Sequence, residues 1–179
     1  MNRYSSAAII LRKRDYSEAD KIIVAFSRKQ GKVSFIAKGI KKINSKKRGS
    51  IETGNIVLIS ATRSEGLGIL TEAKLLRSFH KVRTSLNKIS LLHYFCEVVD
   101  KLTQPEEPDP ALFNLLAKYI GMLEETSKLK RLREHFILNT LTLLGFWPKG
   151  KKMIDPDAAL EEVLERRINS ARVGKKLAS

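Results

Sequence analysis

The side chains with chemical potential in this sequence are cations, and they are concentrated. The run Lys38-Gly39-Ile40-Lys41-Lys42-Ile43-Asn44-Ser45-Lys46-Lys47-Arg48-Gly49 carries six basic residues and no acid. Cations at that density suit a phosphate backbone, because each contact releases condensed counterions. Lys32 precedes this run on the same predicted strand, and Arg12 and Arg14 flank Lys13 in a second basic stretch. Tyr16 sits in a polar turn and is a candidate for stacking on a nucleobase. A later group, Lys128, Lys130, Arg131 and Arg133, is a candidate contact for an acidic peptide, although an ordinary solvated helix start is the simpler reading.

Other chemistries find little support. His93 and Cys96 lie one helical turn apart, but a structural zinc site needs four ligands and no second pair stands at usable spacing. Core packing is the reading for both. Gly66-Leu67-Gly68 lacks the strand-to-helix context of a dinucleotide fingerprint. There is no phosphate-loop motif, no nucleophile elbow, and no histidine beside a plausible catalytic serine or carboxylate. The expectation is a protein without catalysis, metal or cofactor.

The elements that must carry these residues follow from periodicity. Tyr4–Leu11, Asp20–Ser27 and Gly31–Lys38 read as strands, with Arg28–Gly31 as a hairpin loop. Ile22, Val24 and Phe26 share one face of their strand, and Val33, Phe35 and Ala37 one face of the next. Phe26 and Phe35 are therefore assigned together to the apolar face. Asn55–Ser60 and Leu67–Ala73 form a second hairpin around Ser64-Glu65-Gly66. Five short strands without an intervening helix predict a small barrel of the oligonucleotide-binding (OB) type.

Beyond about Arg77 the period becomes helical. Leu86, Ile89, His93, Cys96 and Val99 form one stripe, widened by Leu91, Phe95, Val98 and Leu102. Asp109-Pro110 and Asp155-Pro156 are each an N-cap followed by proline at the first helical position. Between them a third helix runs through Leu129, Leu132, Phe136 and Leu143 and stops at Gly145 and Pro148. Leu160, Leu164 and Ile168 belong to the last helix. The fold class is α+β: an OB barrel over residues 1–78 and a helical domain over 79–179.

Charge agrees with a polyanionic partner. The 179 residues hold 34 Lys and Arg against 19 Asp and Glu. Residues 1–50 contain fourteen of those bases and only three acids, Asp15, Glu18 and Asp20. Such a surplus repels itself in isolation and becomes favourable beside nucleic acid. The apolar run Ala7–Leu11 is too short to span a bilayer, so no membrane role is expected. A single cysteine fits a reducing compartment, which points to the cytoplasm.

Several stretches carry a resemblance. Asp15–Ile22 (DYSEADKI), Phe26–Val33 (FSRKQGKV) and Ala37–Gly39 (AKG) resemble the N-terminal region of the RecO family of bacterial recombination mediators. Glu72–Phe79, Leu143–Pro148 and Val173–Ser179 are similar to later parts of that family. The resemblance implies binding of single- and double-stranded DNA and annealing of complementary strands. It also implies contact with the acidic tail of single-stranded-DNA-binding protein, and work with RecR, sometimes RecF, to load RecA. On that basis Arg12, Arg14, Lys32, Lys38, Lys41, Lys42, Lys46, Lys47 and Arg48 are the expected DNA contacts, at the nucleoid. Many members carry a four-cysteine zinc module after the third helix. Here Lys149 to Asp157 has no cysteine, so this is a short form to which zinc is not carried over. Two other readings stay open: an RNA-binding barrel associated with the ribosome, and an adaptor for acidic proteins.

Overall fold

The computed structural model describes residues 3–62 and 67–177, with side chains up to residue 166. The expected turn at Ser64–Gly66 and the side chain of Ile168 lie outside the described residues, as do Ala178 and Ser179 of the resemblance. Five strands come first: β1 (Arg3–Asp15), β2 (Lys21–Ser27), β3 (Gly31–Ala37), β4 (Ile56–Thr62) and β5 (Gly68–Arg77). Four helices follow: α1 (Leu86–Leu102), α2 (Pro110–Glu125), α3 (Leu129–Leu143) and α4 (Pro156–Leu177). The strands close into a barrel in the order β1-β2-β3-β5-β4, the OB arrangement.

Closure depends on β1 serving two partners. Arg3 to Ile9 pair with β4, and Ala8 to Asp15 pair with β2. A register shift between Ile10 and Arg12 marks a bulge at Leu11, which increases the local bend and twist. The last seam is narrow, because β3 and β5 pair in parallel only at Phe35–Gly68 and Ile36–Ile69.

The barrel interior takes Ile10, Ile23, Ala25, Phe35, Val57, Ile59 and Leu70, among others. This corrects the expected placement of Phe26. Cross-strand partners share a face, and Phe35 pairs with Ile23 whereas Phe26 pairs with Lys32. Phe26 and Phe35 are thus both buried, but on opposite sides of the sheet. Ile22, Val24 and Phe26 belong to a second apolar layer outside the barrel, where α1 packs on β1. The Cys96 thiol there faces the Ile10 carbonyl at 3.8 Å.

The chain groups into two compact units, 1–127 and 128–179. The change from strand to helix falls between Arg77 and Leu86, while α1 and α2 pair with each other in the first unit. In the second unit α3 pairs with α4. Both anticipated caps are present: Asp109 Oδ1 accepts from Leu112 N at 2.9 Å, and Asp155 Oδ1 from Ala158 N at 3.0 Å. The stripe on α1 needs correction at two places. Leu86 and His93 are exposed, and the buried face is Leu91, Leu92, Phe95, Cys96, Val98, Val99 and Leu102.

The connector between α1 and α2 crosses the unpaired edge of β3, with Glu106 N donating to Lys32 O at 3.0 Å. Gly31 allows this approach. Its φ is 71°, and a Cβ there would lie 2.2 Å from the Glu107 carbonyl oxygen. Gly31→Ala is expected to lower stability by about 2–3 kcal/mol through backbone strain and displacement of the connector. Gly49→Ala, with nothing within 4 Å, should stay within about 0.5 kcal/mol. Chemical-denaturation midpoints of the two variants test this contrast.

Candidate nucleic-acid interface

The basic run 38–49 leaves β3 and crosses one end of the barrel as a chain of turns. Successive backbone bonds link Lys42 N to Gly39 O, Ser45 N to Lys42 O, Arg48 N to Ser45 O and Ile51 N to Lys47 O. The segment is an ordered strap, not the loose loop its composition suggests. Ordering backbone costs about 1–2 kcal/mol per residue, so something must offset it. Ile40 and Ile51 do so, plugging the barrel end at 3% and 1% exposure. Each such burial contributes about 1.5–3 kcal/mol.

The turn between β1 and β2 supplies the clamp. Gly39 (φ 66°) donates its N–H to Asp20 Oδ1 at 2.8 Å, and Lys41 N donates to Ala19 O at 3.0 Å. That backbone bond holds the Asp20 carboxyl below its ordinary pKa. Lys41 Nζ donates to Ser17 O at 2.9 Å and lies 3.2 Å from Asp15 Oδ1. Asp15 also accepts from Lys21 at 2.6 Å, and the two ammonium groups, Lys21 first, lower its pKa. Lys47 Nζ donates to Leu70 O at 3.0 Å. Lys41 and Lys47 therefore fasten the strap.

The other cations point outward. Arg14, Lys38, Lys42, Lys46 and Arg48 are exposed, and none has a carboxylate oxygen within 4 Å among the described residues. Tyr16 is 57% exposed on the clamping turn. Between turn and strap a cavity of about 440 Å³ has Ile40 and Ile51 in its lining, together with Lys13, Lys21, Lys41, Arg48, Asp15 and Glu52. Four cations face two acids there.

Two expected members of the cluster lie elsewhere. Arg12 Nε and Lys32 Nζ meet one carboxylate, Asp100 of α1, at 2.5 and 3.2 Å. Lys32 Nζ also donates to the Asp100 carbonyl at 2.6 Å. Position along the strand explains the separation: Lys32 stands at the start of β3, whereas the strap leaves its far end. Lys32 shares its face with Phe26, the face on which α1 docks. The groove beside this triad, also about 440 Å³, is lined by Arg12 and Lys32 and equally by Asp100 and Glu106, so no cationic excess builds there. Asp100 lies 68 residues from Lys32, and no local signal could have revealed the pairing.

In the second unit, Lys130 and Arg131 are exposed on the first turn of α3, whereas Arg133 is bonded to Asp157 Oδ1 at 2.6 Å. Lys128 sits at the N-cap. His93 and Cys96 cannot act together, since one is exposed and the other fully buried. Burial pushes the Cys96 thiol up to about 12, so it stays protonated near neutrality. Among the described residues no three His, Cys, Asp or Glu side chains gather as metal ligands. No described helix is long and apolar enough to cross a membrane.

A closed OB barrel with an ordered cationic strap across one end, followed by helices, defines a protein of the oligonucleotide-binding fold class. Family comparison is more specific. The description "Recombination protein O N terminal" matches residues 1–79, and "Recombination protein O C terminal" matches residues 83–155. The chain belongs to the RecO family. A DNA repair protein RecO from Pelotomaculum thermopropionicum is 32% identical over 148 residues, covering 83% of this chain and 57% of the relative. The protein of that name from Geobacter metallireducens is 32% identical over 146 residues (82% and 60%). That from Halalkalibacterium halodurans is 30% identical over 146 residues (82% and 58%). The chain thus spans somewhat under two thirds of the length of these relatives.

Two outcomes follow from the geometry. Lys32→Ala is expected to lower stability by about 1–3 kcal/mol, because Asp100 keeps only Arg12; denaturant unfolding reads this. Cys96 should stay inert to a thiol reagent in the native protein and react fully once unfolded. Rapid native labelling would contradict its burial.

Proposed function

We propose that this chain is a non-catalytic nucleic-acid-binding component of recombinational DNA repair, holding DNA phosphates at the strapped end of its barrel. The observation that carries this reading is the set Lys38, Lys42, Lys46 and Arg48 on a strap fixed in advance, with Arg14 on β1, all exposed and with no carboxylate oxygen within 4 Å among the described residues. Preordering matters because a loose cationic loop would have to be ordered on binding. Lys41 and Lys47 act as fasteners that a phosphate can recruit, and Tyr16 is the adjacent stacking plane. Arg12 and Lys32 hold α1 to the barrel.

Membership of the RecO family supports DNA as the polyanion. The reading extends to annealing of complementary strands, since cations offset repulsion between two backbones while leaving base edges unoccupied. It also includes both single- and double-stranded DNA, and a part in RecA loading with RecR, sometimes RecF. Lys130 and Arg131 are the candidate contact for the acidic tail of single-stranded-DNA-binding protein, with Lys128 beside them. The place of action is the cytoplasm, at the nucleoid.

With about five phosphate contacts on single-stranded DNA, log affinity should fall against log salt with a slope near −3.5. Changing Lys38, Lys42, Lys46 and Arg48 together to Ala should flatten that slope by about 3, while Lys32→Ala leaves it unchanged. Fluorescence-anisotropy titrations over a salt series measure both. A wild-type slope near zero, or equal flattening by Lys32→Ala, would refute the assignment. Annealing of strands coated with single-stranded-DNA-binding protein should fail in the fourfold variant. Tighter binding of matched RNA than of DNA would transfer the site to RNA.

Asp20→Ala provides a sharper check. It removes a negative charge from a phosphate-binding surface, yet it should weaken binding, because the Gly39 amide loses its acceptor. Asp20→Asn keeps an acceptor oxygen and should retain most of the affinity. The pH dependence has a definite sign: with its pKa lowered by folding, Asp20 contributes its cap above the ordinary carboxylate range and loses it as pH falls through the lowered value. Protection of the Gly39 and Lys41 amides, taken relative to intrinsic exchange at each pH, should fall over that descent.

A further inference from the structure

The turn between α3 and α4 combines features that no role above uses. From Leu144 to Ile154 the sequence holds three lysines, a phenylalanine, a tryptophan and no acid. Lys149, Lys151 and Lys152 are exposed, and none has a carboxylate oxygen within 4 Å among the described residues. The nearest following acid, Asp155, is occupied in capping α4.

The turn is also built rigidly. The Phe146 and Trp147 amides both donate to Leu141 O, at 2.8 and 3.1 Å, and Lys151 N donates to Pro148 O at 3.2 Å. The Trp147 indole N–H donates to the Lys151 carbonyl at 3.0 Å, which fixes the ring plane. The Lys151 ammonium lies 5.1 Å from the ring centroid, so that face meets a surface lysine instead of the protein core. Phe146 is 39% exposed.

Planar rings held beside cations that no nearby carboxylate neutralises are the components of a single-strand platform: bases stack on the rings while the ammonium groups follow the backbone. An acidic peptide would use the lysines but has no planar bases to stack on both rings. We propose that Phe146, Trp147, Lys149, Lys151 and Lys152 form a second contact for single-stranded DNA, in the second unit of the chain. The proposal extends the nucleic-acid reading of the barrel but stands on separate side chains. Two contacts on one chain let it hold two strands at once, as annealing requires.

Trp147 is the single tryptophan, so its emission reports on this turn alone. Titration of the full chain with an oligo-dT strand at low salt should quench that emission saturably. Changing Lys149, Lys151 and Lys152 together to Ala should weaken the quench titration and flatten its salt slope by about 2. Phe146→Ala should weaken it about tenfold. Because the three lysines lie at the surface, circular dichroism and thermal unfolding of the lysine variant should match wild type. Poly-glutamate should quench much more weakly than oligo-dT.

The fourfold barrel variant separates the two readings. If it keeps the quench, the turn binds by itself. Loss of the quench in that variant would make the turn a bystander of barrel binding and overturn the proposal. So would an unchanged emission at saturating oligo-dT, a quench indifferent to the lysine changes, or an equal response to poly-glutamate. If instead the barrel changes leave total DNA affinity intact while the lysine changes abolish it, the turn proposal stands and the barrel reading falls.

Discussion

A five-stranded barrel presents an open end where β3 has finished and β4 has not yet begun, and that end has to be closed by apolar side chains. Here the closing segment is also the most cationic stretch of the chain. Ile40 and Ile51 resolve the conflict by turning inward, which leaves Lys38, Lys42, Lys46 and Arg48 facing water. The same burial that completes the barrel core fixes the strap. Cation display is thus a consequence of how the barrel is sealed, and the turns from Gly39 to Ile51 are the geometry that satisfies both demands.

The acids nearby fit this logic. In residues 1–50 the three acids all lie in the β1–β2 turn or at its edges. Asp15 takes two ammonium groups and Asp20 a backbone amide, so both hold the strap to the barrel, and only Asp20 also feels the charges of Lys38 and Lys42. Asp100 does a comparable service on another face. By collecting Arg12 and Lys32 it joins α1 to the outer surface of β1 and β3, above an apolar layer that includes Phe26. Two of the cations expected beside the strap are therefore structural, and the remaining ones define a more compact surface.

How much of this was legible depends on whether the cause is local. The strand succession, the hairpin at Arg28–Gly31 and the two Asp-Pro caps are decided by neighbours within a few residues, and all were readable. The facing of Phe26 was not. Lys21–Ser27 is apolar at both parities because the barrel buries one face and α1 the other, so alternation holds no information about which is which. His93 failed for a related reason: helical spacing places it beside Cys96, but only the tertiary contacts of α1 decide where the buried arc ends. Ile40 did carry a signal. It is the first apolar residue after the strand end, and only that position separates it from Ile43, equally isolated among lysines yet 93% exposed.

The contact proposed in the second unit bears on a physical question: what a protein would need in order to bring together two strands that repel each other. A single cationic surface can neutralise phosphates, but if one strand saturates it, the second gains nothing. Two contacts of different character avoid that competition. The barrel strap offers many cations and one exposed tyrosine, which suits backbone capture with little regard for base presentation. The α3–α4 turn offers fewer cations and two partly buried rings, which suits a short unpaired run whose bases are already splayed. A strand held mainly through its phosphates keeps its base edges available, and one held by stacking is kept unfolded. If both proposed contacts hold, that asymmetry would favour encounter between strands over saturation by either one, because of the side chains each contact presents.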